Sequence, residues 1–147
     1  MAVGGRVDLV FDEVAMAELL HGPNGPVARM LETKGEIVTQ GAKRRAPVSP
    51  TGSGGRPSGY LRSQIHWKLG SDAVSLYVDV YSPATTPDGA PYGLFVEVGT
   101  APHTIRSHGD YPLRNRRTGQ IFGPIVHHPG TPAQPHLRPA LEDLRGA

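Results

Sequence analysis

IHWKLGSDAVSLYVDVY, Ile65 to Tyr81, alternates in a way that decides the fold. Ile65, Trp67 and Leu69 interleave with His66 and Lys68. Val74, Leu76, Val78 and Val80 interleave with Ser75, Tyr77, Asp79 and Tyr81. A period of two places each apolar set on one face of a strand. Gly70-Ser71-Asp72 is turn chemistry between them, so the stretch predicts an antiparallel hairpin with one apolar face.

Such a face needs a cover, and the sequence upstream supplies one. Pro26 suits the first position of a helix, with Gly25 or Asn24 before it as N-cap. Val27, Met30, Leu31, Val38 and Ala42 follow at helical spacing. Lys34 interrupts the stripe, and Gly35 and Gly41 weaken it. Lys43, Arg44 and Arg45 complement the dipole at the C-terminal end, and Pro47 stops the helix. Further upstream, Val7, Leu9 and Phe11 give a short strand signal. Asp12 is placed to cap a short helix through Leu20, with Gly22 as its stop.

Downstream, PVSPTGSGGRPSG (47–59) reads as a flexible loop. SPATTPDGAP (82–91) is a second loop. YGLFVEVGT (92–100) has two readings. Leu94, Val96 and Val98 alternate like a strand, whereas Tyr92, Phe95 and Val96 share a face of a short helix ended by Gly99. Residues 100–128 read as an extended basic arm with a turn at Thr118-Gly119. Ile121, Phe122, Ile125 and Val126 form its return strand. A C-terminal helix is expected over 135–147, its apolar face made of Leu137, Ala140, Leu141 and Leu144, with Pro139 tolerated in the first turn. The expected fold class is α+β. A small antiparallel sheet packs on one long amphipathic helix, with an extended hairpin arm and a short C-terminal helix, in a single domain over 1–147.

Composition narrows the function. The 147 residues carry a net charge of +2, too mild to imply nucleic acid by itself. Hydrophobic content is 37%, while Gly and Pro number 19 and 15, so a modest core with long irregular arms is expected. Zero cysteines exclude disulfides, thiolate catalysis and zinc–thiolate sites. Acidic residues and Arg6 interrupt the N-terminal stretch, which is therefore not read as a signal peptide. No apolar run approaches the ~18 residues of a membrane span. A soluble protein with no membrane contact is expected.

Motifs for chemistry are sparse. There is no H-E-x-x-H, no G-x-S-x-G and no P-loop. His127 and His128 are adjacent, so on a strand they face opposite ways and do not share a metal. A cluster built in space from His103, His108 and His128 is an alternative that the spacing does not require. Glu97 stands alone in an apolar stretch, with Asp79 or Asp110 as a second carboxylate for acid–base work. A lone Glu in that setting more commonly pairs with an arginine or caps backbone amides. Neither a catalytic residue nor a metal or cofactor is expected. On the arm, Arg106, His108, Arg114, Arg116 and Arg117 crowd the stretch from Thr104 to Thr118, with Tyr111 among them. They serve either as phosphate contacts or as charges that prevent edge pairing.

Four blocks in order carry a resemblance: AKRRAPV (42–48), Thr51-Gly52 with LRSQI (61–65), YGLFVEVGT, and HPGTPAQPHLRPAL (128–141). Together they resemble the head–tail joining, or tail completion, proteins in the neck of long-tailed, lambda-like bacteriophages. Two departures stand out. Residues 53–60 lengthen the connection before Leu61. Val98 and His136 replace aromatics, trimming apolar bulk at points where the resemblance implies subunit packing.

The resemblance implies a structural virion protein without catalysis. It implies a homo-oligomeric ring, sixfold by the symmetry of long tails, through which DNA passes. Its implied neighbours are head-completion or connector proteins and tail terminator or tail tube proteins, with non-specific contact to genomic DNA. Its location is the virion neck, after assembly in the bacterial cytoplasm. The implied interface residues are Glu97, Gly99, Thr100, His128, Pro129, Gly130, Thr131, Gln134, Pro135, Leu137 and Pro139. HPGTPAQP is then a fixed-shape segment that loses little entropy on docking. Gly99-Thr100 and Gly130-Thr131 read as turns flanking the arm, and Arg138 is the expected partner of Glu97. The competing reading is a monomeric nucleic-acid-binding module that uses the basic arm.

Overall fold

The computed structural model describes residues 10–50, 56–72, 74–109, 111–115 and 118–145. The fold is α+β, in the order α1 (Glu13–His21), α2 (Pro26–Arg45), α3 (Tyr60–Ser63), β1 (His66–Ser71), β2 (Leu76–Tyr81), α4 (Tyr92–Val98), β3 (His103–Arg106), β4 (Ile125–His128) and α5 (Leu137–Arg145). β1 and β2 form one antiparallel pair, and β3 and β4 form another.

The first hairpin obeys its alternation. Trp67 lies opposite Val80 and Leu69 opposite Val78. These four are half-buried, while His66, Lys68, Tyr77, Asp79 and Tyr81 are exposed. Two boundaries move. Gly70 and Ser71 belong to β1, and Val74 sits exposed in the turn, not in β2. The turn is closed by Asp72, whose Oδ1 accepts the N–H groups of Val74 and Ser75, each at 2.8 Å. Those bonds hold the Asp72 carboxyl below its ordinary range.

The hairpin lies across α2, and the meeting point is a glycine. A Cβ on Gly35 would stand 2.7 Å from Val78 Cγ2 and 3.3 Å from the Trp67 ring. Gly41 similarly admits Ala140 of α5. The glycines that weaken the stripe as helix formers are thus the contact points of the helix. Its buried positions are Ala28, Gly35, Val38, Thr39, Gly41 and Ala42, while Met30 is exposed. Small residues win there because two elements approach the same helix closely. Trp67 Nε1 donates to Glu36 Oε2 at 2.8 Å, which fixes the hairpin's register on α2.

α5 covers the far part of α2. Ala140 is buried, Leu137 and Leu144 pack against the core, and Arg45 pairs with Asp143 at 2.5 Å. α5 begins at Leu137, two residues later than expected, and Leu141 remains exposed. The core is small: Val38, Ala42, Ala46, Leu61, Ile65, Ala84 and Ala140.

At the other end, Asp12 caps α1 by accepting from Val14 and Ala15 N–H groups, and Gly22 ends it. Gly25 and Pro26 open α2 as expected. The N-terminal strand signal is not realised at Val10 and Phe11, which are exposed and outside any strand. Its remaining residues, Val7 to Leu9, lie outside the described residues. So do 51–55 of the loop at 47–59. The end of that loop is fastened: Arg56 donates to the carbonyls of Thr85 (2.9 Å) and Thr86 (3.1 Å) and stacks on Tyr60.

Candidate functional site

Tyr92–Val98 folds as helix α4, the second of its two readings. Gly93 is why it can. It is buried against Ser82, where a Cβ would stand 3.0 Å from the hydroxyl oxygen. The helix turns Tyr92 and Val96 inward and leaves Leu94, Phe95 and Val98 exposed. A strand would have put Leu94, Val96 and Val98 on one face.

Gly99 ends α4 with φ +74° and ψ −176°, a conformation only glycine adopts comfortably. The chain can then cross its own return. Thr100 N–H donates to Thr131 O at 3.0 Å, and Thr131 N–H donates to Thr100 O at 3.1 Å. Gly130, at φ +86°, sits against Thr100 O, where a side chain has no room. Gly99-Thr100 and Gly130-Thr131 therefore form one bridged base, not two separate turns.

Beyond the base, β3 and β4 pair His103 with His128 and Thr104 with His127. The His103 and His128 rings lie 5.0 Å apart. His127 faces the other way, with Nδ1 at 3.1 Å from Thr104 Oγ1. Among the described residues no three metal-ligating side chains converge. The ladder resumes at the Arg114–Ile121 bridge and closes at Asn115, which donates to Gln120 O at 2.8 Å. No described residue from 101 to 131 is buried. Arg106 and Arg114 are exposed and have no ion-pair partner among the described residues. Arg116, Arg117 and Asp110 lie outside the described residues.

The Pro-rich return is docked within the chain. Gln134 N–H donates to Val96 O at 2.8 Å, which lays residues 131–135 along α4. Glu97 then completes the mount. Its Oε2 accepts the N–H of His136 (2.8 Å) and Leu137 (3.0 Å), and its Oε1 accepts the N–H of Arg138 (3.0 Å). The expected ion pair with the Arg138 side chain is not formed among the described residues; Glu97 meets the backbone N–H of Arg138 and caps amides instead. The first-turn N–H groups of α5 have no intrahelical acceptor, and a carboxylate there also meets the positive end of the helix dipole. Burial pushes the Glu97 carboxyl up; the three N–H donors and the His136 ring outweigh it and hold it below its ordinary range.

His136 is fully buried, with Nδ1 3.0 Å from Glu97 Oε2. A carboxylate only accepts, so Nδ1 donates. Nε2 has no hydrogen-bond partner among the described residues. The aromatic replaced by His136 is therefore an interior position of the protomer, not a subunit contact. Asp79, the other candidate carboxylate, stands on the outer face of β2 beside Lys68, at 3.7 Å.

Between α4, the arm base and the chain leaving α2 lies an open, mainly apolar groove of about 960 Å³. Val48, Phe95, Val98, His103 and His128 are among its walls. No local pattern signals it, because its sides come from three separate segments. Of the eleven implied interface positions, Gly99, Thr100, His128, Thr131 and Gln134 line this groove. Glu97 and Leu137 serve the mount of α5, and Pro135 and Pro139 flank that helix start.

No described helix is long and apolar enough to cross a membrane. No curated protein and no solved structure matches the chain. A family model described as "Bacteriophage HK97-gp10, putative tail-component" matches residues 27–99. That match spans α2, the first hairpin and α4, and ends at Gly99; the arm and α5 lie beyond it. Over residues 27–99, the stretch that holds α2, the first hairpin and α4, the chain matches the HK97-gp10-like family of bacteriophage tail components.

Proposed function

We propose that this tail component works in the neck of the virion. In this reading identical subunits close into a ring that joins or completes the tail at the head–tail interface, with DNA passing through. One observation carries the reading. Among the described residues the buried apolar side chains are mostly alanines, with Val38, Leu61 and Ile65 the larger members. Bulky residues such as Phe11, Val14, Leu94, Phe95, Val98 and Ile121 are exposed. A protomer that keeps its large apolar groups outside and its small ones inside gains stability from neighbours.

Head-to-tail contacts that close on themselves give rings. The symmetry of long tails makes six the expected number. The ring's faces would meet head-completion or connector proteins on one side and tail terminator or tail tube proteins on the other, after assembly in the bacterial cytoplasm. Arg106 and Arg114 on the arm supply non-specific contact with passing DNA. Glu97, committed to α5, is a structural carboxylate and has no catalytic part in this reading.

Light scattering over a concentration series, followed by negative-stain imaging, tests the proposal. Ring-shaped particles of uniform subunit number are expected. A protein that remains monomeric at all concentrations and fails to bind isolated tails overturns it.

A further inference from the structure

The arm is a hairpin whose ladder breaks partway along. β3 and β4 pair from His103–His128 to Arg106–Ile125, and pairing resumes at the Arg114–Ile121 bridge. Between those two pairs the outgoing strand runs from 106 to 114, while the return strand needs only 125 to 121. The surplus leaves the ladder on one side: His108, Gly109, Tyr111 and Pro112 have no strand partner. The return strand passes the break without an insertion. Pro124 O accepts the N–H of Ser107 at 2.9 Å, and its neighbour Gly123 O accepts the N–H of Leu113 at 3.4 Å, at the weak limit of a hydrogen bond.

The two sides of the break are held differently. The proximal side is tied to the body by the Thr100–Thr131 crossing, by His103 Nδ1 donating to Ala101 O at 2.9 Å, and by Gly130 N–H donating to His128 Nδ1 at 3.1 Å. The distal side holds to itself. Phe122 N–H donates to Leu113 O at 2.7 Å and Asn115 N–H to Gln120 O at 2.8 Å. Leu113 and Phe122 are only half-buried, and Tyr111 is exposed. The distal hairpin is therefore coherent within itself, and it joins the proximal ladder through Gly123–Pro124 and the inserted stretch.

The glycines of the arm divide the same way. At the base, a Cβ on Gly99 would stand 2.6 Å from Thr131 O, and one on Gly130 would press on Thr100 O. At the break, a Cβ on Gly109 or Gly123 would meet nothing within 4 Å. A glycine pressed between backbones fixes an angle. A glycine that touches nothing keeps its freedom in φ and ψ, and a few such residues are enough to make a hinge.

We propose that the arm is jointed at Gly109 and Gly123–Pro124, and that the distal hairpin bearing Arg114 swings as a unit while the proximal ladder stays with the body. The purpose of the swing rests on the reading that the arm touches DNA: a cation on a joint follows phosphates that advance past a fixed ring. From Gly123 to the turn at Thr118 is about 16 Å of strand, so a swing of about 30° carries the turn through about 8 Å.

The chain has no cysteine, so spin labels can be placed at will. Ile37→Cys on the exposed face of α2 is the reference, paired with Ile125→Cys on the proximal ladder or with Thr118→Cys at the distal turn. Each labelled full chain is mixed with an excess of unlabelled protein, so that pulsed electron-spin distances are measured within one chain. A narrow distribution to position 125 and one at least twofold broader to position 118 are expected. Equal narrow widths make the arm rigid and overturn the joint. Equal broad widths place the motion at the base and overturn it as well.

Gly123→Val locates the pivot. The site has room, its φ is not left-handed, and a β-branched residue before proline is held extended. The distal distribution should narrow toward the proximal one, with the thermal transition unchanged. A distribution that stays broad overturns the pivot at Gly123. Short duplex DNA at low salt should also narrow the wild-type distal distribution. A distal distribution that is broad, narrows in Gly123→Val and ignores DNA leaves the joint standing and overturns its service to DNA.

Discussion

Glu97 holds His136 twice: Oε2 accepts the backbone N–H at 2.8 Å and lies 3.0 Å from ring Nδ1. With Leu137 and Arg138 N–H groups on the same carboxylate, a side chain of α4 caps α5 from 39 to 41 residues away in sequence. A local cap fixes only where a helix starts. This remote one also fixes where α5 sits relative to the arm, because α4 runs straight into the Gly99–Thr100 crossing.

Replacing that carboxylate tests the cap. Glu97→Gln is expected to cost about 1.5–3 kcal/mol by urea denaturation at neutral pH, since bonds to a charged acceptor are lost. Arg138→Ala, which leaves the backbone N–H in place, is expected to stay within about 0.5 kcal/mol. An ion pair between the two side chains would make the two losses comparable.

The same carboxylate gives an acid dependence of known sign. Its folded pKa lies below the ordinary value of 4.5. Its contribution is therefore fully present above that value and is lost as pH falls through the folded pKa. Denaturation midpoints measured downward from pH 6 should fall for the wild type. In Glu97→Gln the share due to this group should be absent and the slope shallower.

The arm base makes a sharper test of backbone geometry. Gly130→Ala would place a Cβ against Thr100 O at φ +86°. A loss of about 2 kcal/mol or more is expected from strain and steric displacement together. Hydrogen exchange should show reduced protection at the Thr100 and Thr131 amides while α2 stays protected.

Gly35→Ala sets two effects against each other. Alanine favours a helix interior by about 1 kcal/mol over glycine. Here its Cβ would meet Val78 Cγ2 at 2.7 Å, and overpacking of that kind costs about 1–3 kcal/mol. Net destabilisation is expected. The one tryptophan, Trp67, lies in the same contact, so its fluorescence should report the displacement directly.

Charge reversal on the arm separates the ring reading from a monomeric nucleic-acid-binding module. With Arg106→Glu and Arg114→Glu, particle mass should be unchanged, because both side chains are exposed and unpaired among the described residues. DNA retention should fall and lose part of its salt dependence. A loss of assembly would give the arm arginines a role between subunits.

The sequence by itself determined the elements whose signals are local. Alternation made the hairpin, Asp12 and Gly22 bounded α1, and Gly25-Pro26 opened α2, because period, caps and proline act within a few residues. The order of blocks also pointed to a phage tail family, and the matched stretch runs through α2, the hairpin and α4. What only the tertiary structure decided depends on residues far apart. Tyr92–Val98 is a helix because Gly93 lets it lie on Ser82. Gly35 and Gly41 are contact points because the hairpin and α5 press on α2 there. Glu97 meets the backbone of α5, and the groove exists only where α4, the arm base and the end of α2 converge. Periodicity records which side of an element is apolar; it carries no record of what arrives to cover that side.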